Sequence, residues 1–233
     1  MPEIINVPDY LRAKRYAGGI TPQTDFPGEG KPLSSGWVAK MWIPCVRERF
    51  QKLLQQLGKA FDGEIAGINL TETAISLDEK NLPTHFSYDR YFGSVLANML
   101  ALRQAFQRSQ VVQYVNFFPG EWNNDRQYMS RLFAFALKYH IGLGGPDVVP
   151  YRKGQMKNSY PFFHCNKGRL PLIAMAIQEP DYSYTTPETG QKFTATQLYR
   201  FATRYLGAKV IFWNIQQPQY SQQVKPLLNK VLG

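Results

Sequence analysis

The chain has 233 residues, of which 44% are hydrophobic and 19% charged, so it is long enough for one globular core and is not a disordered polyelectrolyte. Its only cysteines, Cys45 and Cys165, are far apart, which excludes a cysteine-rich zinc site and a disulfide scaffold. No apolar run reaches transmembrane length and the first residues lack the pattern of a signal peptide, so we expect no membrane partner. The protein is then expected in the cytoplasm if Met1 is its natural start, or outside the cell if the chain is a fragment of a secreted precursor.

The net charge of +10 is unevenly distributed along the chain. Residues 111–233 carry fourteen basic side chains against six acidic ones, a surplus of eight. Such a surplus favours an anionic partner, either a nucleic acid or an acidic glycan, although a solubilising surface gives the same composition.

The first part of the chain predicts little regular structure. Residues 17–36 hold five glycines and three prolines, which predicts a long loop, and we assign residues 1–45 to an N-terminal extension rich in these two residues. From residue 46 onward, helical and strand patterns alternate. Helices are predicted over 46–57, 91–106, 126–139, 194–206 and 222–232, and strands over 64–70, 111–117, 140–143, 172–177 and 209–213.

The order of these elements predicts an α/β fold. Strands separated by helices, with nearly continuous apolar runs, are typical of a parallel sheet that is buried on both faces. We therefore predict an incomplete (β/α)8 TIM-type barrel over residues 46–233, with five parallel strands and outer helices. Its open sheet edges predict self-association, or closure by an N-terminal segment that this sequence lacks.

Two glutamates stand out because each follows a predicted strand. Glu72 and Glu179 lie just past apolar runs, and the carboxyl ends of parallel strands meet at one end of the sheet, where α/β folds place their active sites. A pair of carboxylates across a cleft is the minimal equipment for hydrolysing a glycosidic bond. The alternative is that both side chains form salt bridges or helix caps.

Short motifs add a family resemblance. The stretches Gly36-Trp37-Val38-Ala39-Lys40-Met41-Trp42-Ile43-Pro44, Phe61-Asp62-Gly63 and Gly67-Ile68-Asn69-Leu70-Thr71-Glu72-Thr73-Ala74 resemble uncharacterised bacterial proteins related to glycoside hydrolases. More broadly, the layout is similar to the retaining glycosidases with (β/α)8 barrels, and our five strands would correspond to their strands four to eight.

That resemblance implies roles for particular residues. Glu72 would be the general acid and base, Glu179 the nucleophile, and Trp213 an aromatic platform under the sugar. The retaining glycosidases usually have Asn before the acid/base, whereas this chain has Thr71, so Thr71 or another group would bind the sugar hydroxyl. Further substrate-binding candidates lie near the predicted strand ends: Asn116, Glu121, Trp122, Asp147 and Tyr182. For Glu121, capping of the next helix is the alternative.

The segment from 144 to 170 alternates cations with aromatic residues. This pattern suits a polyanion with stacking faces, although a solvated excursion of the chain explains it as well. The three histidines lack metal-binding spacing and no nucleotide-binding motif is present, so we expect no metal and no cofactor. The sequence thus predicts a glycoside hydrolase with a carbohydrate substrate, and the basic surplus includes an anionic glycan among the candidates. Its alternatives are a non-catalytic glycan-binding or assembly protein and a basic nucleic-acid-associated protein.

Overall fold

A computed structural model describes residues 5, 7–25 and 33–232 of the chain. These residues form two compact units. The first unit holds the described residues up to Ile65, with Ala74–Ser109 and Phe118–Gly120, and the second holds Ala66–Thr73, Gln110–Phe117 and the described residues from Glu121 onward. This division differs from the predicted boundary between residues 45 and 46, because two long helices belong with the N-terminal residues.

The first unit contains a hairpin and a helix pair. Strand β1 spans Ile20–Asp25 and pairs antiparallel with β2, Leu33–Ala39. The prediction of a loop over 17–36 is therefore wrong for 20–25 and 33–36, and its middle part, 26–32, lies outside the described residues. A two-stranded sheet consists only of edges, so it accommodates Pro22 opposite Trp37, and a bulge at Gln23/Thr24 absorbs the register shift.

Helices α1, Pro44–Phe61, and α2, Tyr88–Ala105, pack on each other. Gly58 makes this packing possible, because a Cβ there would lie 2.2 Å from the carbonyl oxygen of Ala105. Just beyond α1, the Asp62 carboxylate accepts backbone N–H bonds from Gln107, Arg108 and Ser109. These hydrogen bonds, that from Ser109 first, lower the pKa of Asp62.

The second unit is built on five parallel strands in sequential order. They are β3 (Gly67–Leu70), β4 (Gln110–Tyr114), β5 (Gly142–Gly145), β6 (Ile173–Ile177) and β7 (Val210–Trp213). The sheet curls through 206° and is flanked by helices. The prediction of an α/β fold with an incomplete (β/α) barrel of five parallel strands is confirmed.

The helices of this unit are α3 (Tyr128–Lys138), α4 (Lys153–Asn158), α5 (Tyr160–Asn166), α6 (Ala195–Arg200) and α7 (Lys225–Leu232). The helix predicted over 194–206 continues beyond α6 as a π-helical stretch, Phe201–Leu206. In the segment 144–170, Tyr160 and Phe163 are buried in the protein while Lys157, Lys167 and Arg169 are exposed. The alternation of aromatics and cations there is largely the amphipathic pattern of short packed helices rather than a solvated excursion.

The strand register assigns each side chain to one of two faces of the sheet. Register partners share a face and successive residues alternate. One face carries four small residues together with larger ones: Gly142, Gly144, Ala174 and Ala176, with Asn69, Val112, Tyr114, Val210 and Phe212. Tyr114 on β4 and Phe212 on β7 have ring centroids 6.5 Å apart, although three strand spacings span about 14 Å in a flat sheet. This face is therefore the concave one.

The opposite, convex face carries larger aliphatic side chains. Leu143, Ile173 and Met175 on that face are each no more than 2% exposed. The concave face is more open at its β7 edge, where Val210 is 38% and Phe212 47% exposed. Within the ranges that the structure describes, no helix is long and apolar enough to cross a membrane.

Candidate functional site

The carboxyl ends of the five strands bring the predicted acids to one edge of the second unit. Glu72 lies two residues beyond the last residue of β3, and Glu179 lies two residues beyond the last residue of β6. Three of the four interstrand steps of the curled sheet separate these strands, so their ends lie on opposing walls of the concavity. The two acids therefore occupy equivalent positions in the chain, each just beyond a strand, and those strands lie three steps apart in the sheet.

Hydrogen bonds from β4 and from the loop after it hold the backbone on both sides of Glu72. Gln113 donates its side-chain amide to the carbonyl of Thr71. The hydroxyl of Thr73, which is fully buried, donates to the carbonyl of Phe117 and accepts the N–H of Asn116, each at 3.2 Å. Glu72 itself is exposed, so a rigid backbone presents its carboxylate to solvent.

An amide chain links the Glu72 carboxylate to the next loops. Asn116, two residues beyond β4, donates its Nδ2 to Glu72 Oε2 at 3.0 Å. Its Oδ1 in turn accepts the Nε2 of Gln155, in α4, at 2.8 Å. Asn116 is thus oriented by Gln155 and can give a ligand no more than its remaining N–H without releasing one of these partners. The sequence prediction included Asn116 but missed Gln155, because a glutamine within a predicted excursion carries no pattern.

Asp147, beyond β5, continues this polar edge. It lies 3.4 Å from Arg152 Nη1 and also receives a hydrogen bond from Gln155. Burial raises the pKa of Asp147, while Arg152 and Gln155 act in the opposite direction. Arg152 in turn lies over the ring of Tyr184, with its Cζ 5.2 Å from the ring centroid.

A buried acid that sequence reasoning missed organises the loops after β5 and β6. Asp181 is 1% exposed, and its Oδ2 accepts the backbone N–H of Val148 at 3.1 Å and of Gln178 at 2.9 Å. Burial raises the pKa of Asp181 to about 6, with a further contribution from the charge of Asp147. The only signal in the sequence was its place two residues after Glu179.

Glu179 differs from the other acids of this edge because it is not engaged. It is the first residue of a short 3-10 helix, Glu179–Ser183, whose N-terminus carries a capping box between Gln178 and Asp181. The Glu179 side chain is half-buried and forms neither a hydrogen bond nor an ion pair with any residue in the described ranges. Its carboxylate remains available to a ligand.

Several predicted binding residues have other tasks. Glu121 is buried, and its two oxygens accept the N–H groups of Tyr128 and Met129 at 2.6 and 3.1 Å, so it caps helix α3. This is the alternative that the sequence left open for Glu121. Trp122 is 51% exposed, with the ammonium of Lys157 5.8 Å from its ring centroid. Tyr182 is only 3% exposed, and burial raises its pKa to about 12.

The aromatic residues of the concave face differ from the prediction. Trp213 pairs in register with buried Ile177, which places it on the convex face. Phe212, one residue earlier, is the β7 aromatic on the concave face, next to Tyr114. Asn69 hydrogen-bonds the Tyr114 hydroxyl, and burial raises the pKa of Tyr114 to about 12. Sequence reasoning missed this pair because a shift of one residue in strand register moves a side chain to the other face of the sheet.

Comparisons with known proteins add no family. A scan against protein-family models and a search of curated proteins both find no match for this chain. Among the residues that the structure describes, no group of three or more His, Cys, Asp or Glu side chains is arranged to hold a metal ion. The functional assignment therefore depends on the geometry of the site.

Proposed function

We propose that this protein is a glycoside hydrolase-like enzyme. Glu72 and Glu179 would be the pair of catalytic carboxyl groups that cleaves the glycosidic bond of its substrate. The observation that supports the proposal is the equivalent placement of the two acids, each two residues beyond the end of a strand, with three interstrand steps of a curled parallel sheet between the two strands. The carboxyl end of such a sheet is where barrel enzymes assemble their active sites.

The state of each acid supports a division of roles. Glu179 has no protein partner within the described ranges, which suits a nucleophile that must reach the anomeric carbon. Glu72 is exposed and held by Asn116 at 3.0 Å, which suits a group that must face the glycosidic oxygen in a defined orientation. In the retaining scheme, Glu179 displaces the leaving group to form a glycosyl ester while Glu72 protonates the departing oxygen. Glu72 then deprotonates the water that releases the sugar.

Asn116 is the group that takes the place of the asparagine missing before Glu72. Its amide lies beside the Glu72 carboxylate although it comes from the loop after the following strand, β4. A sugar hydroxyl could bind the remaining N–H of the Asn116 amide without help from Thr71. The substrate class is a glycan whose ring lies over the concave face.

Substitution of the two acids tests the proposal. With a panel of aryl glycosides, Glu179→Gln should abolish turnover, by about a thousandfold or more, because the nucleophile is lost. Glu72→Gln should reduce turnover most for substrates with poor leaving groups and least for an activated aryl leaving group. Glu188→Gln, at an exposed acid of the same unit, is the matched control and should leave turnover unchanged. Turnover that survives Glu179→Gln would sink the proposal.

A glycan-binding protein without turnover is the second candidate. The open concave face favours it, because Phe212 is 47% exposed beside Tyr114 and flat rings bind sugar faces. In that case Phe212→Ala should weaken glycan binding while Glu179→Gln has no effect on it. Binding measured by calorimetry with both variants separates the two functions.

A further inference from the structure

A basic cleft in the first unit is independent of the carboxyl edge of the sheet. It has a volume of about 670 Å³ and is lined by Lys14, Arg15, Ala17, Trp42, Ile43, Pro44, Arg47, His85, Arg90, Gly93 and Ser94. We name it the basic cleft. Its size falls in the range of small-molecule sites.

The charged side chains that line the basic cleft are all of one sign. Four of its lining residues, Lys14, Arg15, Arg47 and Arg90, are cationic, and none of its lining residues is acidic. Within the described part of the chain, none of these four cations forms an ion pair; the ion pairs there involve Arg12, Arg108 and Arg152. Four cations in a lining that contains no carboxylate produce a positive potential that favours binding of an anion.

Three of the cations are nevertheless held in place. Arg47 Nη1 donates to the carbonyl of Met41 at 3.2 Å, and Arg90 Nη1 donates to the carbonyl of His85 at 3.1 Å. Arg15 lies over the ring of Tyr16, with its Cζ 4.9 Å from the centroid. A guanidinium has five N–H donors, so each arginine keeps donors for a phosphate or sulfate group while losing little side-chain entropy on binding.

Two further features of the wall favour an anion with a ring. Trp42 is 3% exposed, and its indole N–H finds no hydrogen-bond partner among the described residues. Helix α1 begins at the basic cleft: its first residue, Pro44, and its N-cap, Ile43, are lining residues, and Ile43 provides no side-chain cap. The start of an 18-residue helix adds positive potential. Trp42, Ile43 and Pro44 provide an apolar wall for a ring.

We propose that the basic cleft binds a small organic polyanion, a ring compound that carries two or more phosphate or sulfate groups. Four cations around a space much larger than one oxyanion favour several anionic groups on one ligand, and the apolar wall favours a ring between them. This proposal also gives a role to the motif that runs from Gly36 to Pro44, because its last three residues, Trp42, Ile43 and Pro44, line the basic cleft. The proposal does not depend on glycosidase activity at Glu72 and Glu179.

Calorimetric titration of the full chain tests this proposal with four probes. They are inorganic tripolyphosphate, a nucleoside triphosphate, a sulfated disaccharide and the same disaccharide without sulfate. We expect saturable one-site binding of the triphosphate or of the sulfated sugar, weakened by added salt, and none of the neutral sugar. The stronger of the two identifies the source of the anionic groups. If both organic anions bind no better than tripolyphosphate, the ring part of the proposal is wrong, and if no anion binds saturably, the proposal fails.

Matched variants locate the binding. The Lys14 side chain is exposed and forms no hydrogen bond with the described residues, so Lys14→Gln combined with Arg15→Gln should leave the fold intact and weaken binding by about tenfold or more. Lys52→Gln combined with Lys59→Gln removes the same charge from the exposed side of α1 and should change affinity by less than about twofold. Trp42→Phe should also weaken binding, by removing the N–H donor.

Two outcomes of the variant series overturn the assignment. Equal weakening by both charge pairs would mean that net charge alone attracts the anion. Tighter binding of a single-stranded oligonucleotide that is insensitive to the Lys14 and Arg15 changes would place the anion site elsewhere on the surface.

Discussion

The two compact units of the chain collect charge in opposite ways. In the first unit, four cations line the basic cleft without an acidic partner among the described residues. In the second, acids collect at the carboxyl edge of the sheet and are held by amides and backbone N–H groups, as in Glu72 with Asn116 and Asp181 with Val148. Charges without partners favour ligand binding, whereas acids tied by neutral donors can be fixed in position for chemistry. Glu179, which has no partner among the described residues, resembles the cations of the first unit in this respect.

The largest expected effect is at Gly144 in β5, where the absence of a side chain allows close contact with neighbouring strands of the second unit. A Cβ on Gly144 would lie 1.8 Å from the carbonyl oxygen of Ala174 and 2.9 Å from the Tyr114 ring. Gly144→Ala should therefore destabilise the second unit by about 3 kcal/mol or more. Gly154→Ala, in helix α4 and with nothing within 4 Å, is the control and should be neutral or stabilising.

Chemical denaturation followed by circular dichroism checks this. Gly58→Ala brings the same kind of clash to the first unit, 2.2 Å from the carbonyl oxygen of Ala105. If the two variants lower different transitions, the units unfold separately, and if they lower one common transition, the units unfold together. Unchanged stability in Gly144→Ala would contradict the register of β5 and β6.

The second prediction uses the raised pKa of Asp181. Its folded-state pKa of about 6 exceeds the ordinary value of 3.8, so the folded protein binds the proton more tightly than the unfolded chain does. The contribution of protonated Asp181 to the free energy of unfolding is fully present below pH 4. It is lost as the pH rises through 6, and the loss amounts to about 3 kcal/mol at most. Asp181→Asn keeps an oxygen for the two N–H donors and should remove this pH dependence. Urea denaturation at pH 4, 5, 6 and 7 measures it, and identical pH profiles of variant and wild type would refute the buried acid.

The third prediction tests the amide chain at Glu72. Asn116→Ala should lower kcat/KM by about tenfold in the proposed reaction, because Glu72 loses its orienting donor at 3.0 Å. Gln155→Ala should have a smaller effect of the same kind, since it acts through Asn116. Steady-state kinetics of both variants and of their double mutant give the coupling. Additive effects from the two changes would mean that the residues do not act as one chain.

The fourth prediction addresses the open concave face and the exposed edge strands. Val210 and Phe212 on the outermost strand β7 expose apolar surface, which favours association of copies. Phe212→Lys should weaken self-association by about tenfold, from the loss of one buried aromatic contact. Sedimentation velocity over a range of concentrations measures this. A wild-type chain that stays monomeric at all concentrations contradicts the prediction.

The smallest expected effect is at Asp62 in the first unit. Its backbone hydrogen bonds lower the pKa of this acid, so its stabilising contribution is present above the unfolded pKa and is lost as the pH falls through the folded pKa. This is the opposite sign from Asp181. Asp62→Asn should lower the melting temperature slightly at pH 7, and the difference from wild type should shrink at acid pH. Calorimetric melts at pH 3 and pH 7 would show it, and a constant difference would argue against the linkage.

Much of the second unit could be predicted from the sequence because its signals are local. Apolar runs separated by helical patterns predicted all five strands of the parallel sheet, with boundaries that differ from the structure by a few residues. The same signals predicted that Glu72 and Glu179 follow strands. In the first unit, glycines and prolines over 17–36 predicted a loop, whereas pairing between β1 and β2 is a non-local interaction that local composition does not reveal.

The sequence by itself determined the α/β class, the order of the strands and the carboxyl-edge location of the two glutamates, because these follow from periodicity and chain order. Only the tertiary structure decided which side chains meet. It put Phe212 rather than Trp213 on the concave face, used Glu121 as a helix cap, and brought Gln155 to Asn116. It also gathered Lys14, Arg47 and Arg90 from three separate stretches into one cleft. Contacts of this kind depend on register and on packing between distant segments, and a linear pattern carries neither.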